Sequence, residues 1–496
     1  MGTVTIRTKV RRSMILGAVA ALAIALVVTA APAGAVVACA VSGVSPNQTM
    51  TVTLDADADA VTIAVDGATI EWNGNPCTPA ANTADVSAIV VTADTLAQVE
   101  AQAVTIDGAG GSFTASIAIS LGDGADTLNV NGTGASEGVT ADMGAGNDDV
   151  NTTNANGPLS VTGGAGDDQI DGGSGNDTLN AGDGTNTVNA GDGNDGVTAG
   201  TGGDTVNGGA GNDTVNAGAG SNTVNGGDGN DVLTTGGASD SVDGGDGDDA
   251  INAGDGGNGV SGGAGNDAIT TGADGDSVDG GDGNDTINAG NGGNSVGGGN
   301  GADDVTTGSG SDEIDGGDGD DTAHAGAGND DLFGDTDRDA LWGEGDDDEI
   351  DGGGGNDTLT PGEGDDDVSG GSGKDTLSFA DATAPVDVDL SDGFASTGSD
   401  DDTIAFDVEN VTGSSFVDTI RGDNGNNDVS SGKADDAVRG AGGEDNIHGG
   451  GGADSLRGGD GDDDLFGQGG PDALFGGGGT DLCKGGKGAD TTKGCE

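Results

Sequence analysis

GGSGNDTLN at residues 172–180, GGAGNDTVN at 208–216 and GGDGNDTIN at 280–288 are three readings of one nine-residue unit, G-G-x-G-x-D-x-U-x with U aliphatic. From Gly163 to Ser378 the chain runs through 24 such units without an insertion or deletion. Position eight is aliphatic at Ile170, Leu179, Val188, Val197, Val206, Val215 and onward to Leu377, with Ala323 its one weak member. Position six is Asp or Asn in every unit. A short fixed period of this kind marks a solenoid, in which each unit buries its apolar residue only against stacked neighbours.

The residues flanking position eight are mostly Thr, Asn, Ser and Asp, so each unit reads as a short strand with one aliphatic turned inward. Glycines at positions one, two and four are expected to permit positive-φ turns and to bring carbonyl oxygens close to an ion. Position six then supplies a carboxylate.

This nonapeptide resembles the hemolysin-type (RTX) calcium-binding repeat family over more than half of the chain. The resemblance implies that the first six residues form a turn and the last three a strand, so that two nonapeptides close one 18-residue coil. The expected fold class is all-β: a parallel β-roll solenoid in two arrays, with a β-rich N-terminal region. It also implies calcium between turns on one side of the roll, so that position-six residues 18 apart share an ion. The implied ligands on one side are Asp177, Asp195, Asp213, Asp231, Asp249, Asp267, Asp285, Asp303, Asp321, Asp339, Asp357 and Asp375. On the other side they are Asp168, Asp204, Asp240, Asp276, Asp312, Asp330, Asp348 and Asp366, the first five alternating with Asn186, Asn222, Asn258 and Asn294. Two readings of these Asn stand side by side: sites weakened by the lost charge, or neutral remnants of duplication whose amide oxygen ligates nearly as well.

The energetics agree with the resemblance. One buried aliphatic per nine residues does not offset the ordering of nine backbones, several of them glycine. Repulsion between stacked Asp columns adds to the deficit. A hard cation taking six to eight oxygens removes that repulsion, and carbonyls plus carboxylates select calcium over magnesium. Zinc would want Cys or His, of which the arrays have almost none.

Local departures are GDTDRDALW from Gly334, which lacks two glycines, and TGADGDSVD from Thr271, with Asp274 at position four. Ligation near those turns is in question. Residues 379–412 interrupt the array and alternate in strand fashion at PVDVDL and TIAFDV. A second array of nine units spans 413–493, followed by a tail at 494–496, with Asp418, Asp436, Asp445, Asp454, Asp463, Asp472, Asp481 and Asp490 as implied ligands and Asn427 as the exception. At position nine, Arg421, Arg439 and Arg457 should form an outward ladder, and Phe333, Trp342, Phe466 and Phe475 are outward as well.

Upstream, residues 36–115 alternate Val, Ile and Thr and are expected to be β-rich, while 116–162 hold weak units such as LGDGADTLN from Leu121 and MGAGNDDVN from Met143. Arg7, Lys9, Arg11 and Arg12 precede an apolar run from Met14 and the small-residue site Ala33-Gly34-Ala35, so residues 1–35 read as a removed export signal. No membrane span is then expected in the mature chain. In an exported chain four cysteines suit two disulfides, Cys39 with Cys77 and Cys483 with Cys495, although lipidation at Cys39 is a second reading. Beyond the signal, nine Lys plus Arg face 88 acids, which disfavours nucleic acid or an anionic membrane as partner and suits cations.

No HExxH or P-loop occurs, and the two histidines, His324 and His448, both sit at outward position nine. The expectation is a secreted, non-enzymatic structural or adhesive protein that folds on extracellular calcium, with cell-surface or matrix components as partners. The alternative is a calcium-dependent scaffold for a ligand-binding or enzymatic module in residues 36–162.

Overall fold

The computed structural model describes residues 101–110, 116–132, 138–153 and 156–496 without interruption; before residue 101 it describes only the strands at 3–6, 24–26, 38–44, 47–54, 60–66, 69–72, 75–76 and 86–93. Apart from those strands, residues 1–35, where an export signal is expected, and the side chains of Cys39 and Cys77 lie outside the described residues. Every regular element described is a strand. Among the described residues no helix is long and apolar enough to cross a membrane. The chain divides into two compact units, Met1–Asp255 and Gly256–Glu496.

In the first unit two parallel ladders alternate along the chain. One takes Thr178–Asp183, Gly196–Thr198, Thr214–Gly218, Val232–Thr235 and Ala250–Gly254. The other takes Gln169–Asp171, Thr187–Asp192, Thr205–Ala210, Thr223–Asp228 and Ser241–Asp246. Leu179 faces Val197 and Val197 faces Val215, while Val188 faces Val206 and Val206 faces Val224. Paired residues are 18 apart, so two nonapeptides do close one coil. Upstream the step lengthens, with Ile119 opposite Ala141 and Ala141 opposite Val161, which accommodates the weak units. The β-rich region leads into these ladders: Val86–Ala93 pairs with Ser116–Ser120, and Ala103–Gly110 with Thr127–Asn131.

The second unit repeats this arrangement and threads the insertion into it. Val386–Asp389, Phe394–Thr397 and Asp400–Ile404 form an antiparallel meander. Asp400–Ile404 lies parallel to Asp367–Ser369, and Val386–Asp389 lies parallel to Thr419–Arg421. Asn410–Thr412 joins Thr376–Ser378 to the strand at Asp428–Ser430. The insertion therefore hands both ladders from the first array to the second.

Position eight is the core: from Ile170 to Leu377 none of these side chains is more than 4% exposed. Two details differ from the sequence reading. Many strands have six residues where three were expected, as in Thr205–Ala210. Alternation carries the inward face on to position one of the next unit, so Ala181, Ala190, Ala199 and Ala217 are fully buried. Positive φ is also confined to positions two and four, for example Gly173 at 95° and Gly175 at 139°. Gly172, at position one, has no such φ, and its lack of a Cβ serves a different purpose. At the departures, Asp274, Asp335 and Asp337 adopt positive φ themselves, so the turn survives the missing glycines.

Candidate metal centre

Each position-six side chain folds back under its own turn, and its two oxygens take separate roles. Oδ1 accepts the amide N–H of the position-six residue one coil earlier. Asp177 donates to Asp195 at 2.7 Å, Asp195 to Asp213 at 2.8 Å and Asp213 to Asp231 at 2.7 Å. In the second unit Asp285 donates to Asp303, Asp303 to Asp321 and Asp321 to Asp339, all at 2.7 or 2.8 Å. Residues 18 apart are thus tied through a backbone donor, a link the sequence did not disclose.

Oδ2 is left over. At Asp177, Asp195, Asp213 and Asp231, and at Asp285, Asp303, Asp321, Asp339, Asp357 and Asp375, it is buried without a hydrogen-bond partner. It faces position one of its own unit. A Cβ added at Gly172 would meet Asp177 Oδ2 at 2.7 Å and the carbonyl oxygen of Ala190. At Gly208 it would meet Asp213 Oδ2 and the Gly226 carbonyl, each at 2.5 Å. Glycine at position one therefore keeps open a cradle whose walls are a carboxylate oxygen and a carbonyl oxygen from the next coil. Among the described residues no three Asp, Glu, His or Cys side chains converge on one point. The donor set is instead one carboxylate with backbone carbonyls, all hard oxygens, which fits calcium.

An isolated buried carboxylate is costly, and the acidities record it. Burial, opposed by the amide hydrogen bond and reinforced by the neighbouring Asp195, pushes Asp177 up to about 7. Asp213 and Asp231 are pushed to about 6 by the same kinds of cause. Asp339 reaches about 7 and Asp348 about 8, in each case through burial first and flanking carboxylates second.

In the alternating column the ladder is equally regular: Asp168 donates to Asn186 Oδ1 at 3.0 Å, Asn186 to Asp204 at 2.7 Å and Asp204 to Asn222 at 3.0 Å. Asp276, Asp312, Asp330, Asp348 and Asp366 occupy the same place in the second unit. In the second array Asp436, Asp445, Asp454, Asp463, Asp472 and Asp481 all carry an unpartnered Oδ2. Asp490 accepts from Asp472 at 3.1 Å. Asp418 departs from the pattern, because the Ser414 amide donates to its Oδ2 at 2.7 Å.

Four residues of this ladder were missed. Asp126 and Asp148 extend it upstream, with Asp126 donating to Asp148 and Asp148 to Asp168 at 2.7 and 2.8 Å. Their G-x-G-x-D context was the available signal. Asp402 accepts from Asp366 at 3.3 Å and Glu409 from Asp375 at 2.9 Å, bridging the insertion. Nothing in the period marks those two, because the insertion has no period.

The remaining singled-out residues turn to each other. Arg421, Arg439 and Arg457 are in register on adjacent strands. Arg421 pairs with Asp389 of the insertion at 2.9 Å, and Arg457 lies over Phe475. His324 stacks on Trp342 and His448 on Phe466. Phe333 sits opposite Asp315 and Asp351 in its ladder. Cys483 is bonded to Cys495 at the C-terminal end.

A family model described as RTX calcium-binding nonapeptide repeat (4 copies) matches at residues 162–197, 198–233, 225–260, 261–296, 297–332, 324–359, 362–377, 406–438, 439–474 and 457–492, together more than half of the chain. No curated protein matches it.

Proposed function

The chain belongs to the RTX calcium-binding nonapeptide repeat family, and on that premise we propose that it is a secreted, non-enzymatic structural or adhesive protein that folds outside the cell when it binds calcium. The observation that carries this reading is the column of buried, unpartnered Oδ2 atoms facing carbonyl oxygens. Metal-free, such a column repels itself; with a divalent cation in each cradle it becomes the strongest contact between coils. The ligands we assign are position-six carboxylates whose own unit keeps glycine at position one: Asp168, Asp177, Asp213, Asp231, Asp249, Asp267, Asp285, Asp303, Asp321, Asp339, Asp348, Asp357 and Asp375, and Asp445, Asp454, Asp463, Asp472 and Asp481 of the second array. Each contributes Oδ2, and position-one carbonyls of the next coil contribute the opposing oxygen.

Low calcium before export keeps such a chain unfolded, and millimolar calcium outside supplies the folding free energy. Partners are then extracellular, at a cell surface or in a matrix. The test is expression of the full chain in a secreting bacterial host. The expected product lies in the medium, lacks residues 1–35, and resists protease in calcium but not in chelator. A cell-retained chain with an intact N-terminus, or equal protease resistance in both buffers, would overturn the reading.

A further inference from the structure

We infer that calcium occupies only one of the two position-six columns between residues 181 and 312, and that the other is closed by the chain's own hydrogen-bond donors. This rests on the calcium reading above and makes it asymmetric.

The first observation is the carboxamide geometry. Asn186 Oδ1 is held by the Asp168 amide, so Nδ2 is turned into the cradle, where it donates to the carbonyls of Gly182 at 3.3 Å and Ala199 at 3.2 Å. Ala199 stands to Asn186 as Ala190 stands to Asp177, so the donor meets the same position-one carbonyl that faces Asp177 Oδ2. Asn222 Nδ2 donates to Gly218 and Gly220 at 3.3 and 2.9 Å, and Asn294 Nδ2 to Gly290 and Gly292 at 3.4 and 3.3 Å. The amide hydrogens stand where a cation would, aimed at oxygens that a cation would need.

The second observation is at position one. The acidic column has glycine there at 172, 208, 226, 244, 262, 280, 298 and 316, with Ala190 as an exception. The other column has Ala181, Ala199, Ala217, Thr235, Ala253, Thr271, Ala289 and Thr307. A Cβ at this position fills the cradle that Gly172 and Gly208 leave open. The threonines go further: Thr235 Oγ1 donates to the Ala253 carbonyl and Thr271 Oγ1 to the Ala289 carbonyl, both at 2.7 Å and both buried. These too are position-one carbonyls of the next coil. Asn186 and the threonines thus supply donors to position-one carbonyls of the next coil, while Asn222 and Asn294 donate to carbonyls of their own turns. Asn186, Asn222, Asn258 and Asn294 recur every 36 residues, as do Thr235, Thr271 and Thr307, so the closure repeats every four units. Asp204, Asp276 and Asp312 in this column also keep an unpartnered Oδ2, but Ala199, Thr271 and Thr307 put a Cβ into the cradle beside them, and the two threonine hydroxyls occupy the facing carbonyls. One column therefore holds metal while the other is filled and stitched by the chain itself.

The test counts calcium ions bound per full-length chain by calorimetry and by equilibrium dialysis. D204N/D240N/D276N should bind as many ions as wild type, whereas D213N/D231N/D285N should bind fewer. A converted chain, with Asn→Asp at 186, 222, 258 and 294, Thr→Gly at 235, 271 and 307 and Ala→Gly at 181, 199, 217, 253 and 289, should bind more. Equal losses in the two triple variants would overturn the inference, and they decide it even where the converted chain fails to fold. Wild-type protein binding no calcium at all would instead overturn the calcium reading itself.

Discussion

Replacing Asp213 with Asn separates the two roles of a position-six carboxylate. Asn keeps the acceptor for the Asp195 amide, which now lies 2.8 Å from Asp213 Oδ1. It exchanges the unpartnered Oδ2 for an amide able to donate locally, as Asn222 does to Gly220 at 2.9 Å. In calcium the variant loses a site. With free ion near 10 mM and a site dissociation constant of about 10⁻⁴ to 10⁻³ M, the loss is about 1.4 to 2.7 kcal/mol. In chelator it loses nothing and gains a hydrogen bond in place of a buried charge, about 1 kcal/mol in the opposite direction. Urea midpoints measure both, the chelator series being run with sucrose to hold the roll folded. A change of the same sign in the two buffers would refute the division of roles between Oδ1 and Oδ2.

Other consequences follow from the same geometry. Because folded, calcium-free Asp177, Asp339 and Asp348 titrate near 7 to 8 against an unfolded value of 3.8, their protonated forms favour the metal-free roll. Its stability should be greatest below about pH 4 and fall as pH rises to about 8, while calcium affinity should move the other way, both read by circular dichroism across pH. Gly208→Ala places a methyl against Asp213 Oδ2 and the Gly226 carbonyl and should remove one ion per chain in a calorimetric count, whereas Gly237→Ala, where a Cβ meets nothing within 4 Å, should leave the count intact. Cys483→Ala with Cys495→Ala should leave the bulk of the roll folded while the terminal coil exchanges amide protons faster, the lost link being worth about 3 kcal/mol or less. Uniform exchange along the chain in that variant would contradict a local role for the bond.

The fold was legible because two columns, positions six and eight, hold their chemistry for 24 units, and a parallel ladder translates such a period directly into register. Less legible were effects that need the third dimension. Glycine at position one looked like glycine at positions two and four, yet it serves by its missing Cβ beside Asp177 Oδ2 and not by its φ. Alternation beyond position nine buries Ala181 and Ala190, which a turn reading had left outside. Asp402 and Glu409 join the carboxylate ladder only because the insertion folds as a meander into it. The Asn were recognised as distinct, but whether their oxygen or their nitrogen faces the cradle depends on the amide of Asp168, which only the stacked coil reveals.

The central claim is that the carboxylate columns require calcium to fold, and a far-ultraviolet circular dichroism titration of the full chain from excess chelator into millimolar calcium tests it most directly. The account predicts a largely unfolded spectrum in chelator and a cooperative, saturable gain of β signal that magnesium does not reproduce. A full β spectrum in chelator, unchanged by added calcium, would contradict it.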